Sequence, residues 1–176
     1  MKNLSHLCIA VLTTAMLLDS CKKSSIPTPS DPASSMTFTA NGHNISFNDC
    51  EEAPVEVNGI LQTTFLGTTV TNGNPGDARF QVCIQHDPAT IKAGQTYRSA
   101  TSFEQAEGVV FYYYPDASHT FVSQPANPQG SVTITNVTST TISGIFSGHV
   151  FTPDDLTGVG VVYTIINGSF TATINK

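Results

Sequence analysis

Charged side chains are scarce in this sequence, and basic ones are the scarcest. Asp, Glu, Lys and Arg make up 11% of the 176 residues, with 13 acidic against 7 basic side chains, where about 25% charged is usual. So few basic groups exclude a protein that neutralises many phosphates, and we expect no nucleic-acid partner. Charge alone cannot hold such an acidic chain on anionic lipid either, so any membrane attachment must have another source.

Recognisable catalytic motifs are also lacking. The part of the sequence that we expect to fold contains His43, His86, His119 and His149, and none lies in a nucleophile elbow or a zinc-binding helix motif. Neither a paired-carboxylate motif nor a phosphate-binding loop is present. We therefore expect a protein that is not an enzyme and needs no metal or cofactor.

The one long apolar run lies at the N-terminus. Lys2 precedes a mainly apolar segment from Leu4 to Leu18, which is too short to span a bilayer and is typical of an export signal. The string LLDSC that ends at Cys21 resembles the lipobox of bacterial lipoproteins. That resemblance implies that residues 1–20 are a signal peptide and that Cys21 becomes the acylated first residue; the alternative is a secretory signal that leaves Cys21 a free thiol.

A polar segment follows the cysteine. Residues 21–35 read CKKSSIPTPSDPASS, and such Pro- and Ser-rich sequence cannot bury apolar area, so it is expected to be an extended or disordered tether. Three acyl chains on Cys21 exceed what stable anchoring requires. We predict an outer-membrane lipoprotein that faces either the periplasm or the cell surface, with its folded domain at residues 36–176.

Two cysteines remain in the predicted domain, Cys50 and Cys83. Disulfides persist in an exported protein, so a Cys50–Cys83 bridge is the simplest expectation. In the chain-entropy model it would contribute about 3.5–4 kcal/mol. Two separate buried thiols are the alternative.

Turn residues divide the domain into short segments that alternate apolar and polar residues. Asn41-Gly42 between MTFTA and HNISF predicts a hairpin. The last segment, Gly160 to Ile174, is either a second hairpin or one strand bent by a bulge at Gly168. The other predicted strands are Leu61 to Val70, Ala78 to Gln85, Gln95 to Ser99, Gly108 to Tyr114, His119 to Ser123, Ser131 to Val137 and Thr141 to Phe151. The fold class that follows is all-β, a single antiparallel β-sandwich or flattened β-barrel of about nine or ten strands.

The C-terminal third contains the strings GSVTITNVTSTTISGIFSGHVF and IINGSFTATI. They resemble the ends of a family of Bacteroidetes lipoproteins of unknown function. The positions that match the family's motif are Gly130, Val132, Ile134, Ile142, Gly144, Phe146, Asn167, Gly168 and Phe170. The resemblance implies an envelope lipoprotein with an all-β domain and supplies no catalytic residues. In a strand, Ile142, Gly144, Phe146 and Gly148 share one face, and the glycines there would let an aromatic ring approach closely.

An aromatic run, Phe111-Tyr112-Tyr113-Tyr114, offers the candidate ligand-binding residues Tyr112, Tyr113 and Tyr114. Alternate residues of a strand point to opposite faces, so some of these rings are expected to face outward, where tyrosine can stack on a sugar ring. Cross-strand packing within the sheet is the alternative.

These features favour a non-enzymatic binding module that recognises a glycan, a peptide or a protein of the envelope. The alternative is a lipocalin-like carrier that encloses a small apolar ligand. A large internal cavity would support the carrier, and a filled core would count against it.

Overall fold

Alternating apolar and polar residues form strands along almost the whole domain. The computed structural model describes residues 33–57, 59–102 and 107–174, and the predicted signal peptide, Cys21 and most of the predicted tether lie outside them. The strands of these ranges are β1 (Ser35–Ala40), β2 (His43–Phe47), β3 (Asp49–Val57), β4 (Ile60–Thr71), β5 (Asn74–Ile84), β6 (Thr96–Arg98), β7 (Val109–Tyr114), β8 (Phe121–Val122), β9 (Gly130–Val137), β10 (Thr141–Val150) and β11 (Tyr163–Ile174). A single turn of 3-10 helix spans Pro88–Thr90. The predicted all-β fold is confirmed.

The first hairpin forms as the sequence predicts. Asn41 and Gly42 have φ angles of 48° and 83°, the left-handed pair that a tight two-residue turn requires. The turn joins β1 to β2, so that Met36 pairs with Phe47 and Ala40 with His43.

Strand β11 is a single strand bent by a bulge. Thr37 and Thr39 of β1 are two positions apart, but their partners on β11 are three positions apart. The same holds for Phe146 and Gly148 of β10. The extra residue falls next to Asn167, whose φ is 53°, immediately before Gly168. This confirms the bulged strand, and Asn tolerates this left-handed conformation better than most side chains.

All strands belong to one sheet in the order β6-β9-β10-β11-β3-β4-β5-β7-β8, and the β1–β2 hairpin also pairs with β11. Strand β3 was not predicted from the sequence, and its pairing with β11 is parallel, from Thr173 with Glu51 to Ile174 with Glu52. The other ladders between strands are antiparallel, as expected. Pro54 lies in β3 beyond this short parallel contact, where its missing N–H breaks no hydrogen bond to β11.

The sheet curls without closing. Its two ends approach at isolated bridges, between Ser99 and Val109 and between Val122 and Phe151, and no continuous ladder joins them. Both predicted architectures, a sandwich and a flattened barrel, are compatible with this shape.

Aromatic rings fill the interior. Phe146 of β10 stacks on Phe80 of β5, with ring centroids 5.3 Å apart, and Phe170 of β11 stacks on Phe65 of β4 at 4.4 Å. Phe38 of β1 contacts Phe80 at 4.5 Å and thereby joins the hairpin to this cluster. Strand residues from both ends of the sheet therefore share one apolar core.

Glycines allow this packing, as the sequence indicates. An added Cβ at Gly144 would lie 2.6 Å from the Phe170 ring, and one at Gly168 would lie 2.5 Å from the Phe146 ring. Neither separation is possible between carbon atoms in contact, since their optimum is about 3.5–4.0 Å. Gly144, which was predicted to face inward, and Gly168 at the bulge therefore provide space for the aromatic core.

The predicted disulfide is not formed in this structure, where Cys50 and Cys83 are both free and buried. Cys50 pairs with Gly67 of β4, and Cys83 pairs with Thr64 of the same strand. Thr64 and Gly67 are an odd number of positions apart, so the two thiols lie on opposite faces of the sheet and cannot meet. The structure holds the alternative, two separate buried thiols.

Candidate functional site

The tyrosine run divides between the two faces of β7. Phe111 and Tyr113 point into the main core, where Tyr113 meets Phe38 and Tyr163 edge-on with ring centroids 5.7 and 5.1 Å apart. Burial raises the pKa of the Tyr113 phenol. Tyr113 is only 6% exposed, so it offers almost no surface to a ligand.

Tyr112 and Tyr114 point to the opposite face of the sheet. Tyr114 is 8% exposed and is covered by Arg79 of β5, whose Cζ lies 5.2 Å from the ring centroid, within cation–π range. Tyr112 is half-buried against the small cluster that contains Cys83. The three predicted ligand-binding tyrosines are thus brought into packing contacts, and they leave little open ring surface for a sugar.

An open surface of different chemistry lies on the outward faces of β9, β10, β11 and β1. Apart from Ile145 on β10 and from Ile166 and Asn167 at the bulge of β11, the outward residues of the central part of these strands carry hydroxyl groups. We call this surface the hydroxyl face; its members are Thr37, Thr39, Ser131, Thr133, Ser143, Ile145, Ser147, Ser169 and Thr171. Neither Asp, Glu, Lys nor Arg occurs anywhere in these four strands. The hydroxyl face is therefore uncharged.

Register between the strands places the hydroxyl groups side by side. Thr37 Oγ1 lies 3.0 Å from Ser169 Oγ, and Ser143 Oγ lies 3.0 Å from Thr171 Oγ1. Thr133 Oγ1 lies 2.8 Å from the hydroxyl of Thr96 on the neighbouring strand β6. These pairs fix the hydroxyl positions, and each oxygen keeps a lone pair for an external donor.

Two shallow depressions cross the hydroxyl face and meet at Ser147. The larger has a volume of about 430 Å³ and lies between Ile145 and Ser169, over the bulge of β11. The smaller, about 230 Å³, continues to His149. From Ile145 to His149 the strand advances roughly 14 Å at about 3.4 Å per residue, which is enough for a short stretch of an extended polymer.

Aliphatic side chains flank these depressions. Ile145 is 52% exposed and lines the larger depression, and Ile166 is 45% exposed and lines the smaller. His149 also lines the smaller one, and its Nδ1 is buried without a hydrogen-bond partner in the described part of the chain. The surface therefore combines apolar contacts with many neutral hydrogen-bonding groups.

The sequence contains only part of the information that defines the hydroxyl face. Alternating hydroxyl residues are visible in SMTFTA, GSVTITNV and SFTATI, and they predict that each strand has one hydroxyl side. What alternation cannot show is that β9, β10, β11 and β1 are neighbours. Sequence reasoning therefore missed this surface and favoured the tyrosines.

In the described part of the chain, the other candidate groups do not assemble into a reactive site. His119 contacts the Asp116 carboxylate at 2.9 Å, but their side chains are 64% and 51% exposed, and neither residue lines the two depressions. The hydrogen bond from His119 holds the pKa of Asp116 below its usual value. Within residues 33–57, 59–102 and 107–174, no group of three His, Cys, Asp or Glu side chains could hold a metal ion.

Comparison with protein-family models, curated proteins and solved structures gave no match. The resemblance to Bacteroidetes lipoproteins therefore remains a prediction. In the described ranges, no helix has the length and apolar character needed to cross a membrane.

Proposed function

We propose that this protein is a lipid-anchored binding module of the bacterial envelope, and that its hydroxyl face binds an uncharged polysaccharide. The observation that carries the proposal is the pair of depressions on a face made of hydroxyl and aliphatic side chains with no charged residue. The export signal and the lipobox-like LLDSC motif ahead of Cys21 support attachment to the membrane.

The chemistry of a neutral sugar complements this surface. Each sugar hydroxyl donates and accepts hydrogen bonds, and Ser and Thr hydroxyls do both as well. The C–H faces of a sugar ring need apolar contact, which the exposed parts of Ile145 and Ile166 provide. Since the hydroxyl face has no charge, binding should depend little on salt.

A filled interior favours binding at the surface over the carrier alternative. Phe65, Phe80 and Phe111 have no exposed surface, and Phe47 is only 2% exposed. A lipocalin-like carrier needs an internal cavity of several hundred cubic ångströms, at least about 300 Å³ for a drug-sized ligand. Aromatic rings occupy the corresponding volume here.

The test is binding of the purified domain, residues 33–176, to immobilised neutral polysaccharides: glucans, mannans and galactans. A carboxylated polymer serves as the charged comparison. We expect at least one neutral polymer to bind with an affinity that changes less than threefold between 0.05 and 0.5 M salt, taking the Debye length as falling from roughly 14 to 4 Å over that range.

Variants locate the site. Ser147→Glu places a charge where the two depressions meet and should lower affinity at least tenfold. Thr71→Glu adds the same charge at an exposed position of β4, away from the hydroxyl face, and should bind like the unmodified protein. Failure of every neutral polymer to bind, or equal binding by Ser147→Glu, would overturn the proposal.

Lipid attachment has its own test. In cells grown with labelled palmitate, the full chain should incorporate label and fractionate with the outer membrane, and Cys21→Ala should do neither. Label retained by Cys21→Ala would refute acylation at that cysteine and leave the polysaccharide proposal untouched.

A further inference from the structure

Exposed aliphatic side chains are concentrated in one loop that the proposed function does not use. The loop joins β10 to β11, and we call residues 152–162 the distal loop. Val159 is 82% exposed, Leu156 56% and Val161 39%. Single exposed apolar residues are ordinary on a protein surface, but three within six consecutive positions are not.

The distal loop has a fixed conformation. The Asp155 carboxylate accepts hydrogen bonds from the Thr157 hydroxyl at 2.6 Å and from the backbone N–H groups of Thr157, Gly158 and Gly160 at 3.2, 3.1 and 2.9 Å. The bond from the Thr157 hydroxyl is the largest influence that holds the pKa of Asp155 below its usual value. The carboxylate therefore organises the loop around itself.

Two asparagines from elsewhere in the chain secure the loop to the domain. Asn127 Nδ2 donates to the Gly158 carbonyl at 2.7 Å, and Asn41 Nδ2 donates to the Val162 carbonyl at 2.7 Å. Gly158 has a φ of +65°, and an added Cβ there would lie 2.6 Å from Asn127 Cβ. Leu156 and Val159 are thus held in the open by a rigid backbone, which lowers the entropy cost of binding a partner.

The loop lies at the end of β1 opposite to Ser35. The chain enters β1 at Ser35, beside Thr171 of β11, whereas Asn41 at the other end of β1 contacts the distal loop. At about 3.4 Å per residue, β1 separates these two points by roughly 20 Å. The distal loop is therefore remote from Ser35, where the chain enters the first strand of the domain.

The charge of the loop is acidic. Asp154 is exposed beside the aliphatic side chains, Asp155 is ionised, and neither Lys nor Arg occurs between positions 152 and 162. Negative charge disfavours contact with an anionic lipid surface and would oppose the pairing of two copies of the loop. It favours a partner with basic side chains around an apolar pocket.

We propose that the distal loop docks into an apolar pocket, rimmed by basic side chains, on a partner protein of the envelope. Leu156 and Val159 enter the pocket, and Asp154 faces its rim. The proposal rests on the proposed location in the envelope, but the interface is separate from the hydroxyl face, so docking and polysaccharide binding can fail independently.

The experiment uses the full chain in its own cells with a photo-crosslinking amino acid in place of Val159. The matched control carries the same group in place of Val137, which is 37% exposed on β9. We expect the Val159 position, and not the Val137 position, to give one discrete product with a second polypeptide. That polypeptide is then identified by mass spectrometry and purified for direct binding.

Binding to the purified partner decides the interface. Leu156→Ser and Val159→Ser should each lower affinity at least tenfold, Val137→Ser less than twofold, and Asp154→Asn should reduce the dependence of binding on salt. Leu156 and Val159 are both more than half exposed. The thermal midpoints of these two variants should therefore stay unchanged, which would exclude a folding defect. Crosslinks to lipid, to a second copy or to nothing would overturn the proposal, as would a partner that binds all the variants equally.

Discussion

Adding one methyl group at Gly144 tests whether close glycine–ring contacts hold the core together. In Gly144→Ala the new Cβ would lie 2.6 and 2.7 Å from Cε1 and Cζ of Phe170, and 3.0 Å from the Thr133 carbonyl oxygen. Carbon atoms in contact rest near 3.5–4.0 Å, so the overlap with the ring is about 1 Å. The Phe170 ring must move, and its stacking on Phe65 at 4.4 Å must change with it.

The magnitude follows from two opposing effects. Overpacking a close-packed core costs about 1–3 kcal/mol. Replacing a strand glycine by alanine recovers about 0.5–1 kcal/mol of backbone entropy. The mid-range values give a net loss of about 1.25 kcal/mol, with an upper bound of about 2.5 kcal/mol. For a domain of this size these losses lower the thermal midpoint by roughly 5 and 10 °C.

The assay is thermal and urea unfolding followed by circular dichroism. Gly160→Ala is the control, because the only neighbour of its added Cβ is the end of a side chain, Asp155 Oδ2 at 3.3 Å. The control should unfold within about 2 °C of the unmodified protein. In a Phe170→Leu background the ring is gone, so Gly144→Ala should cost at least about 0.5 kcal/mol less than it does alone. A Gly144→Ala protein as stable as the parent would refute the close approach.

Other changes test the rest of the fold. Burial raises the pKa of the Cys83 thiol to about 11 and that of Cys50 still further. Both thiols should therefore resist labelling by maleimide at pH 8 and label fully in urea. Failure to label in urea would indicate a disulfide. Because the pKa values are raised, the folded state favours the neutral thiols. Their contribution to the free energy of unfolding is therefore fully present below the ordinary thiol pKa of 9.0 and declines as pH rises toward 11, which thermal unfolding across that range would detect. Asn167→Val forces a β-branched residue into a φ of 53° and should cost about 1–2 kcal/mol in urea unfolding, whereas Asn167→Gly should cost little. Asp155→Asn removes the acceptor for the Gly160 N–H, so that amide should exchange faster with solvent. Because the pKa of Asp155 is lowered, the Gly160 amide of the unmodified protein should exchange faster only as pH falls below the ordinary carboxyl pKa of 3.8.

Local sequence determines much of the secondary structure of this protein. Side-chain alternation has a period of two residues, and left-handed turn positions demand particular residues, so the β1–β2 hairpin with Asn41-Gly42 and the bulged β11 are readable from short segments. The inward-facing glycines of β10 follow in the same way, because Gly144 and Gly148 alternate with exposed positions. Strand β3 was missed because Pro54 and its glutamates oppose strand propensity, and only pairing with β4 and β11 overrides that preference.

The tertiary structure decided which surfaces these strands form together. Strand neighbours are selected mainly by burying apolar faces in one large core, with a smaller cluster on the other face of the sheet, and that requirement joins residues far apart in the chain. It set β3 beside β11, placed Cys50 and Cys83 on opposite faces, and covered Tyr113 and Tyr114. The same assembly brought four hydroxyl-bearing strands side by side. The sequence of each strand determines which of its residues face outward, but the surface exists only because the shared core fixed the order of the strands.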